Sequence, residues 1–385
     1  MTSISDFLQV KRISLLISAL LLVLCIAGCA SAAGKYEIKY AEKFSVDYRE
    51  NNIKLVTDSA GKQFLLVPSG EKVPDYYKDM AHTMLVRTPV NRVFLCSTSQ
   101  VSFLKLLDRS KKLYDSVVAV TTEEADWTDE KIRSLMKSGK IRYLPEGRGQ
   151  KSNVERIIEI KPDLVLPSGM DLGETKIMVQ LKEAGIPALS VGDYTEASDE
   201  AYLEWVKFYG AFYNMDEEAD SAFREMLARK RSLTEKIVKS ISEEKLKKPV
   251  VALGLLFNGL VYTQSGEGKF TTFINSTGGI HALAGSKING SVQISMEEFF
   301  NRCKDADILI YSSTKKYTPS KKALLALNPL FAEFKAMKKD NIYIYDSGYY
   351  VNSAEIIEKF EDMAYILHPS LLPGHRLRHY EKLPD

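Results

Sequence analysis

Apolar residues along this chain come in several rhythms, and each predicts a different kind of structure. Lys11 and Arg12 precede an uncharged run over residues 13–27, built mostly from Leu, Ile, Val and Ala. A bilayer-spanning helix needs about 20 apolar residues, so this shorter run after a positive start reads as a secretory signal. From residue 44 to 67, β-branched and aromatic positions alternate with polar ones around Ser59-Ala60-Gly61, which predicts a β-hairpin. Short apolar runs then alternate with helical segments. Strands are expected at 93–96, 116–120, 141–144, 164–167 and 188–191, with helices over 100–107, 129–137, 154–160 and 174–184. Strands this short and apolar, spaced by helices, predict a parallel sheet covered on both faces. The stretch 70–87 fits none of these patterns.

Residues 199–245 change the rhythm. They hold no Pro and only Gly210, and they place Tyr202, Trp205, Val206, Tyr209, Ala219, Phe223, Met226 and Leu227 at helical spacing. Two helices are expected there, the second long, with a break near Asn214. Lys247-Lys248-Pro249 ends the stretch, and a second α/β set begins. Its strands are expected at 250–253, 308–311 and 342–345, and its helices over 271–276, 296–302, 321–325 and 354–367. The predicted fold class is α/β: two Rossmann-like lobes with central parallel sheets, joined by a long α-helix, with a ligand cleft between them.

The apolar leader ends in Ile26-Ala27-Gly28-Cys29, which resembles the lipobox of bacterial and some archaeal lipoproteins. The small pair Ala27-Gly28 admits a peptidase, and the Cys29 thiol is the nucleophile that takes a diacylglyceryl group. Several acyl chains on one residue suffice for durable anchoring. The alternative is an ordinary signal cut near Ala33, with Cys29 incidental. The expected organisation is a signal peptide over 1–28, a lipidated N-terminus and tether over 29–43, and an N-terminal lobe with its β-hairpin over 44–198. A helical connector over 199–248 and a C-terminal lobe over 249–385 complete it. Cys25 leaves with the leader, so only Cys96 and Cys303 remain unlipidated. Far apart and in different lobes, they are expected as small buried hydrophobes rather than a disulfide.

Charge and motifs narrow the function classes. Lys+Arg 52 and Asp+Glu 50 nearly cancel at a net +2, which falls to about +1 when Asp6, Lys11 and Arg12 leave. No basic stripe marks a nucleic-acid binder. C-x-x-C, G-x-S-x-G and H-E-x-x-H do not occur, and in SGEGKF a phosphate loop is broken because Phe270 follows Lys269. The histidines are His82, His281, His368, His375 and His379. Only the last two are near each other, and they are read as solvated in a basic tail. No catalytic site and no metal site is therefore expected.

The residues Asn153-Val154-Glu155-Arg156-Ile157, followed by Lys161-Pro162-Asp163-Leu164-Val165-Leu166, carry a specific pattern: N-x-E-x-I and then KPDLV. Gln293-Ile294-Ser295-Met296-Glu297-Glu298, leading to Ala306-Asp307-Ile308-Leu309-Ile310, occupies the corresponding place in the second half. Lys182-Glu183-Ala184-Gly185-Ile186-Pro187 and Thr277-Gly278-Gly279 add to it. Over residues 88–370 the chain resembles the substrate-binding lipoproteins of ABC importers for iron–siderophore complexes, haem and cobalamin, whose lobes are joined by one rigid helix. The resemblance implies an extracytoplasmic, lipid-anchored monomer that captures such a chelate and delivers it to an ABC permease and its ATPase. It implies no cofactor beyond the Fe or Co its ligand can contain, and no nucleic-acid partner. It also implies that one glutamate per lobe docks onto permease arginines, here Glu155 and Glu297, with Glu298 beside the latter as an alternative. A helix-N-terminal acid favoured by the macrodipole explains the same residues without docking.

Ligand contacts are expected from loops at the carboxyl ends of the strands. In the first lobe these are Ser97, Thr98, Glu146, Arg148, Ser168 and Tyr194, with Arg148 the clearest cation. In the second they are Phe257, Asn258, Tyr262, Gln264, Ser312, Asp346 and Tyr349. Haem would be helped by an axial Tyr such as Tyr194 or Tyr262. Two other readings stand beside the binding protein. One is a tethered ligand sensor without transport. The other is an enzyme on a nitrogenase-like two-lobed fold, whose clusters need more cysteines than Cys96 and Cys303. The lipobox leaves the envelope type open between a periplasmic face and an outer cell surface.

Overall fold

The computed structural model describes residues 36–145, 154–167, 176–243 and 246–385. Cys29, Glu146, Arg148, Asn153 and Ser168 lie outside the described residues. The helices are α1 Thr98–Leu107, α2 Glu130–Lys137, α3 Val154–Ile160, α4 Lys176–Glu183, α5 Asp199–Tyr213 and α6 Asp216–Ser242. Then come α7 Lys269–Ser276, α8 Met296–Cys303, α9 Lys321–Leu327, α10 Lys335–Lys338 and α11 Ile356–Leu367.

The residues read as a hairpin form more than one. Strands β1 Ser45–Tyr48, β2 Lys54–Thr57 and β3 Gln63–Pro68 are antiparallel, and β4 Met84–Thr88 joins β3 in parallel. The unassigned stretch 70–87 thus supplies an edge strand, and its Tyr77 and Met80 cover the outer face of this sheet. Val56, Phe64, Leu66 and Val86 on the inner face join the main core of the N-terminal lobe.

That lobe is built on β5 Val93–Leu95, β6 Val117–Val120, β7 Arg142–Tyr143 and β8 Leu164–Leu166, all parallel in the order β7-β6-β5-β8. The strand expected at 188–191 shrinks to isolated bridge positions at Ala188, paired with Val165, and at Val191. The Leu189 N–H donates to Val165 and the Val165 N–H to Pro187, while the Ser190 N–H, on the side away from β8, donates to the Asp58 carboxylate at the β2–β3 turn. Asp58 thereby occupies the outer edge of this segment and staples the small sheet to the large one.

The C-terminal lobe holds β9 Val250–Phe257, β10 Leu260–Ser265, β11 Ile280–His281, β12 Gly290–Ser295, β13 Ile308–Thr314, β14 Ile342–Tyr345 and β15 Tyr380–Lys382. Its centre is parallel through β9, β13 and β14, while β10, β12 and β15 add antiparallel edges. β9 runs past its expected end into a hairpin because Asn258 and Gly259 both take left-handed backbone (φ 49 and 78), as an Asn-Gly turn does.

One aspartate in each lobe fixes the sheet. Asp163 accepts from the N–H groups of Asn91 and Arg92 and donates its own N–H to Arg92, clasping β8 to the start of β5. Asp307 does the same with Val250, at the β9–β13 pair. Pro162 and a left-handed Lys161 (φ 47) end α3 just before the first clasp. The two halves therefore repeat one unit, helix then aspartate then parallel strand.

The helical stretch divides where expected: α5 stops at a left-handed Asn214 (φ 54). Gly210 makes the corner possible, since a Cβ there would lie 2.6 Å from that of Ala219. The two helices have different jobs. α5 lies wholly inside the N-terminal core, with Trp205 4.7 Å from Phe44 and Tyr209 5.0 Å from Phe103, ring to ring. α6, 27 residues and roughly 40 Å long, does the spanning. Its Ala219, Phe223, Met226 and Leu227 sit in the N-terminal core, while Leu233 and Ile237 pack against Phe360, Ala364 and Leu371 of the other lobe. Halfway along, Arg229 pairs with Glu358 (2.9 Å) and Glu361 (2.8 Å) on α11.

A second seam joins the lobes. Ala354 and Ile357 enter the N-terminal core, the Ala354 N–H donates to Ser102 (3.0 Å), and Lys105 of α1 pairs with Glu355. The tail folds back so that His379 is buried and His375 partly buried, which corrects the reading of both as solvated. Asp362, fully enclosed, takes His375 Nε2 at 2.6 Å and the N–H groups of Arg378 and His379 at 2.8 Å, and His379 lies 3.2 Å from Glu355. A buried carboxylate must find donors, and folding the tail back supplies them. Cys96 and Cys303 are both buried and form no disulfide.

The N-terminal segment is held by two buried acids of α5 and its approach. Glu204 accepts from the backbone N–H groups of Lys39, Tyr40 and Ala41 (2.6 to 3.0 Å), and Glu196 accepts from those of Glu42 and Lys43. Lys207 balances Glu204 at 3.2 Å. Glu204→Ala frees three N–H groups, while Lys207 keeps Asp220 (3.2 Å) as its counter-charge. Urea unfolding should show a loss of about 3 kcal/mol, from the unpaired N–H groups, and limited proteolysis should newly cut residues 36–43.

Candidate functional site

Between the lobes lies a cavity of about 630 Å³. Its N-terminal wall comes from the end of β5 and the loop before α5. Ser97 caps α1, taking the Ser99 N–H, while Gln100 reaches back to the N–H groups of Cys96 and Ser97 and donates to Leu166. These bonds place the strand-end turn at the cavity edge. Gly192-Asp193-Tyr194 forms the other side, with Tyr194 half exposed and Asp193 buried.

The C-terminal wall is aromatic and basic. Tyr345 at the end of β14 stacks on Tyr349 (3.7 Å, 8°), and Tyr350 meets both edge-on at 5.6 and 5.3 Å. Phe270 and Phe273 of α7 face the cavity from the side, beside Lys269; Lys359 comes from α11. A smaller recess of about 270 Å³ opens from the same place and is lined by Tyr262, Gln264 and Ser312.

Of the expected contacts, Ser97, Tyr194, Gln264 and Tyr349 line the main cavity, and Tyr262 and Ser312 line the recess. Four others stand elsewhere. Thr98 is the first residue of α1 and lines neither space, and Phe257 and Asn258 are carried off on the tip of the β9–β10 hairpin. Asp346 is a turn-former, taking the Gly348 N–H at 2.7 Å.

Charge inside the cleft is unevenly compensated. Asp193 takes one bond, from the Tyr194 N–H at 2.8 Å, and its other oxygen is buried without a partner. Burial, only partly opposed by that bond and by Lys269, raises its pKa to about 6. Burial lowers Lys359 to about 8 against the pull of Glu355 and Glu358. Lys269 is lowered as well, by the walls around it, although solvent in the cleft reaches its side chain. Burial alone would raise Glu355, but bonds from His379 and Lys105 outweigh it and bring it down to about 2. Among the described residues no group of His, Cys, Asp and Glu is arranged to hold a metal ion. The arrangement is one for holding a ligand: flat faces, polar caps and charge without a nucleophile–base pair.

Sequence reasoning passed over Lys269, Lys359, Tyr202, Tyr345, Phe270 and Phe273. Signals existed for the lysines. Lys359 stands on the apolar face of α11 among Ile356, Ile357, Phe360 and Met363, where a solvated lysine has no reason to be. Lys269 follows a Gly-x-Gly turn at a helix start, a setting weighed only for its failure as a phosphate loop.

The profile of the periplasmic binding protein family matches residues 96–349, well over half of the chain. An uncharacterised lipoprotein of Methanocaldococcus jannaschii is 25% identical over 366 residues, covering 90% of this chain and 85% of its own. An uncharacterised ABC transporter substrate-binding lipoprotein of Bacillus subtilis, YvrC, is 24% identical over 362 residues, covering 93% and 98%. Among solved structures, a periplasmic solute-binding protein of Veillonella parvula superposes with a TM-score of 0.61 at 19% identity, covering 85% of this chain and 89% of the other. The periplasmic haem-binding protein HutB of Vibrio cholerae superposes at 0.56 and 16%, covering 72% and 99%. At these identities the structures speak for the fold, two lobes joined by a long helix.

Asp193 sets a pH dependence. Between about pH 4 and 6 the unfolded chain has released this proton and the folded chain still holds it, so raising pH favours unfolding over that window. Asp193→Asn removes the effect. Its unfolding free energy should match wild type below pH 4 and exceed it by about 2–3 kcal/mol above pH 6, as read by urea titration at each pH.

Proposed function

We propose that this chain, which belongs to the periplasmic binding protein family, captures a chelated metal or corrinoid outside the cell membrane and delivers it to an ABC permease. Proteins of this family bind solutes, are not enzymes and carry no resident cofactor. The observation that carries the finer reading is the cleft itself: about 630 Å³, walled by stacked tyrosines and phenylalanines with polar caps opposite. Such a space suits a large ligand with flat or apolar faces and a polar rim. The haem-binding protein of Vibrio cholerae supports this ligand class, and the ABC transporter substrate-binding lipoprotein of Bacillus subtilis supports the link to an ABC transporter.

Delivery rests on Glu155 and Glu297. Both stand exposed in the first turn of a helix, and neither forms an ion pair among the described residues. Their helices, α3 and α8, are equivalent, since each leads into the aspartate clasp and the parallel strand of its lobe. Glu298 is already engaged by Arg302 at 3.2 Å, which leaves Glu297 as the free carboxylate. One carboxylate per lobe, each meeting an arginine fork, would report the lobe spacing to the permease. Ligand binding closes the cleft by a small lobe motion, because α6 and the Ala354 seam resist a wide hinge.

Lipid on Cys29 places the protein at the membrane surface; among the described residues no helix is long and apolar enough to cross a bilayer. Cys29→Ser should release the protein from the membrane fraction into the soluble one. Glu155→Arg combined with Glu297→Arg should reduce uptake of a bound chelate to background while its affinity, measured on purified protein, stays within about twofold. Uptake that survives the double substitution would remove the docking assignment.

A further inference from the structure

Every carboxylate near the cleft but one already has its cations or donors. Asp199 pairs with Lys230 (3.1 Å), Glu355 with Lys105, and Glu358 with Arg229 (2.9 Å); Glu196 takes the Trp205 indole and two backbone N–H groups. Asp193 is the exception, and burial pushes it toward its neutral form. Two lysines on the opposite wall have no such partner. Lys359 is buried, rests 4.5 Å from the Tyr349 ring and touches only the Ser353 carbonyl, at 3.5 Å. Lys269 stands 5.0 Å from the Tyr202 ring. Neither forms an ion pair among the described residues. An ammonium carries three donors, so most of theirs meet no acceptor among the described residues. Lys359, buried without a directly bonded counter-charge, is costly in a fold that gains nothing from it. Both line the same cavity, beside the apolar faces of Phe270 and Phe273.

We propose that the cleft selects an anionic chelate, whose acidic oxygens meet Lys269 and Lys359 while its apolar body lies against Phe270, Phe273 and Tyr349. The proposal rests on the reading of this cleft as the ligand site and adds the charge of the ligand. The geometry supplies charge-assisted bonds on one side of the ligand. Burying two lysine charges against a neutral ligand would leave both unpaired, so neutral chelates bind weakly for the same reason that anionic ones bind well.

The test measures affinities of four probes for the purified chain from Cys29 onward: haem with its two propionates, a trianionic ferric triscatecholate, a neutral ferric trishydroxamate, and metal-free citrate. The expected result is that at least one of the anionic chelates binds ~30-fold or more tightly than the neutral one. Lys269→Gln and Lys359→Met should each weaken that anionic probe by ~10-fold or more and leave the trishydroxamate within about twofold. Lys359→Met exchanges a buried charge for a like-sized apolar chain, and Lys269→Gln changes a solvent-reached group, so thermal melts should show both variants folded. Tight binding of the neutral chelate with no preference for the anionic ones overturns the charge proposal and keeps the chelate reading. Citrate binding without any chelate binding overturns the chelate reading and keeps the charge proposal. If no anionic probe binds, or if both lysine variants bind it as wild type does, the charge proposal falls.

Discussion

The whole molecule depends on one helix having an end in each of two hydrophobic cores. α6 buries Phe223 and Met226 in the first lobe and Leu233 and Ile237 in the second. A hinge would need that helix to bend, and its interior contains neither Pro nor Gly. The seam of Ala354 and Ile357 adds a second attachment off the helix axis, so rotation about α6 is resisted as well. The cavity is consequently present before any ligand arrives. Binding loses little free energy to ordering, and specificity must come from what the walls display.

What the walls display follows from how the fold handles buried charge. Glu196, Glu204 and Asp362 are enclosed, and each is surrounded by donors drawn from distant parts of the chain. These acids act as knots that bring the two termini onto the lobes. Asp163 and Asp307 do the corresponding work at the sheet edges. Against that thorough pairing, Lys269 and Lys359 stand out for having no ion pair among the described residues, which is what the proposed anionic ligand would supply.

Much of this was legible in the sequence, and the gaps have physical causes. Strand and helix order followed from periodicity, and the break at Asn214 and the clasp after Pro162 fell at residues whose backbone preferences are strong. At 188–191 nothing local reveals that the outer edge is met by Asp58, more than a hundred positions earlier, rather than by another strand. His375 and His379 looked solvated because their carboxylate partners, Asp362 within α11 and Glu355 just before it, stand earlier in the chain and meet the tail only when it folds back. Asn258-Gly259 was a readable turn signal, and it would have removed Phe257 and Asn258 from the cleft. Loop residues at strand ends could be named as candidates, but which of them face the cavity is decided by tertiary packing. Ser97 and Tyr194 do so, while Thr98 and Asp346 turn to capping and turn-forming.

The clamp of Glu204 on residues 39–41 has a consequence for how the protein moves through its surroundings. Only about ten residues separate that clamp from Cys29, and an extended chain covers at most ~3.5 Å per residue. With lipid on Cys29, as proposed, the N-terminal lobe is leashed within ~35 Å of the lipid surface, a distance comparable to the lobe itself. Such a molecule searches an area rather than a volume. It meets a membrane-embedded partner by gliding sideways, already turned with its N-terminal lobe toward the lipid, and a soluble competitor at equal abundance would face the same partner far more rarely.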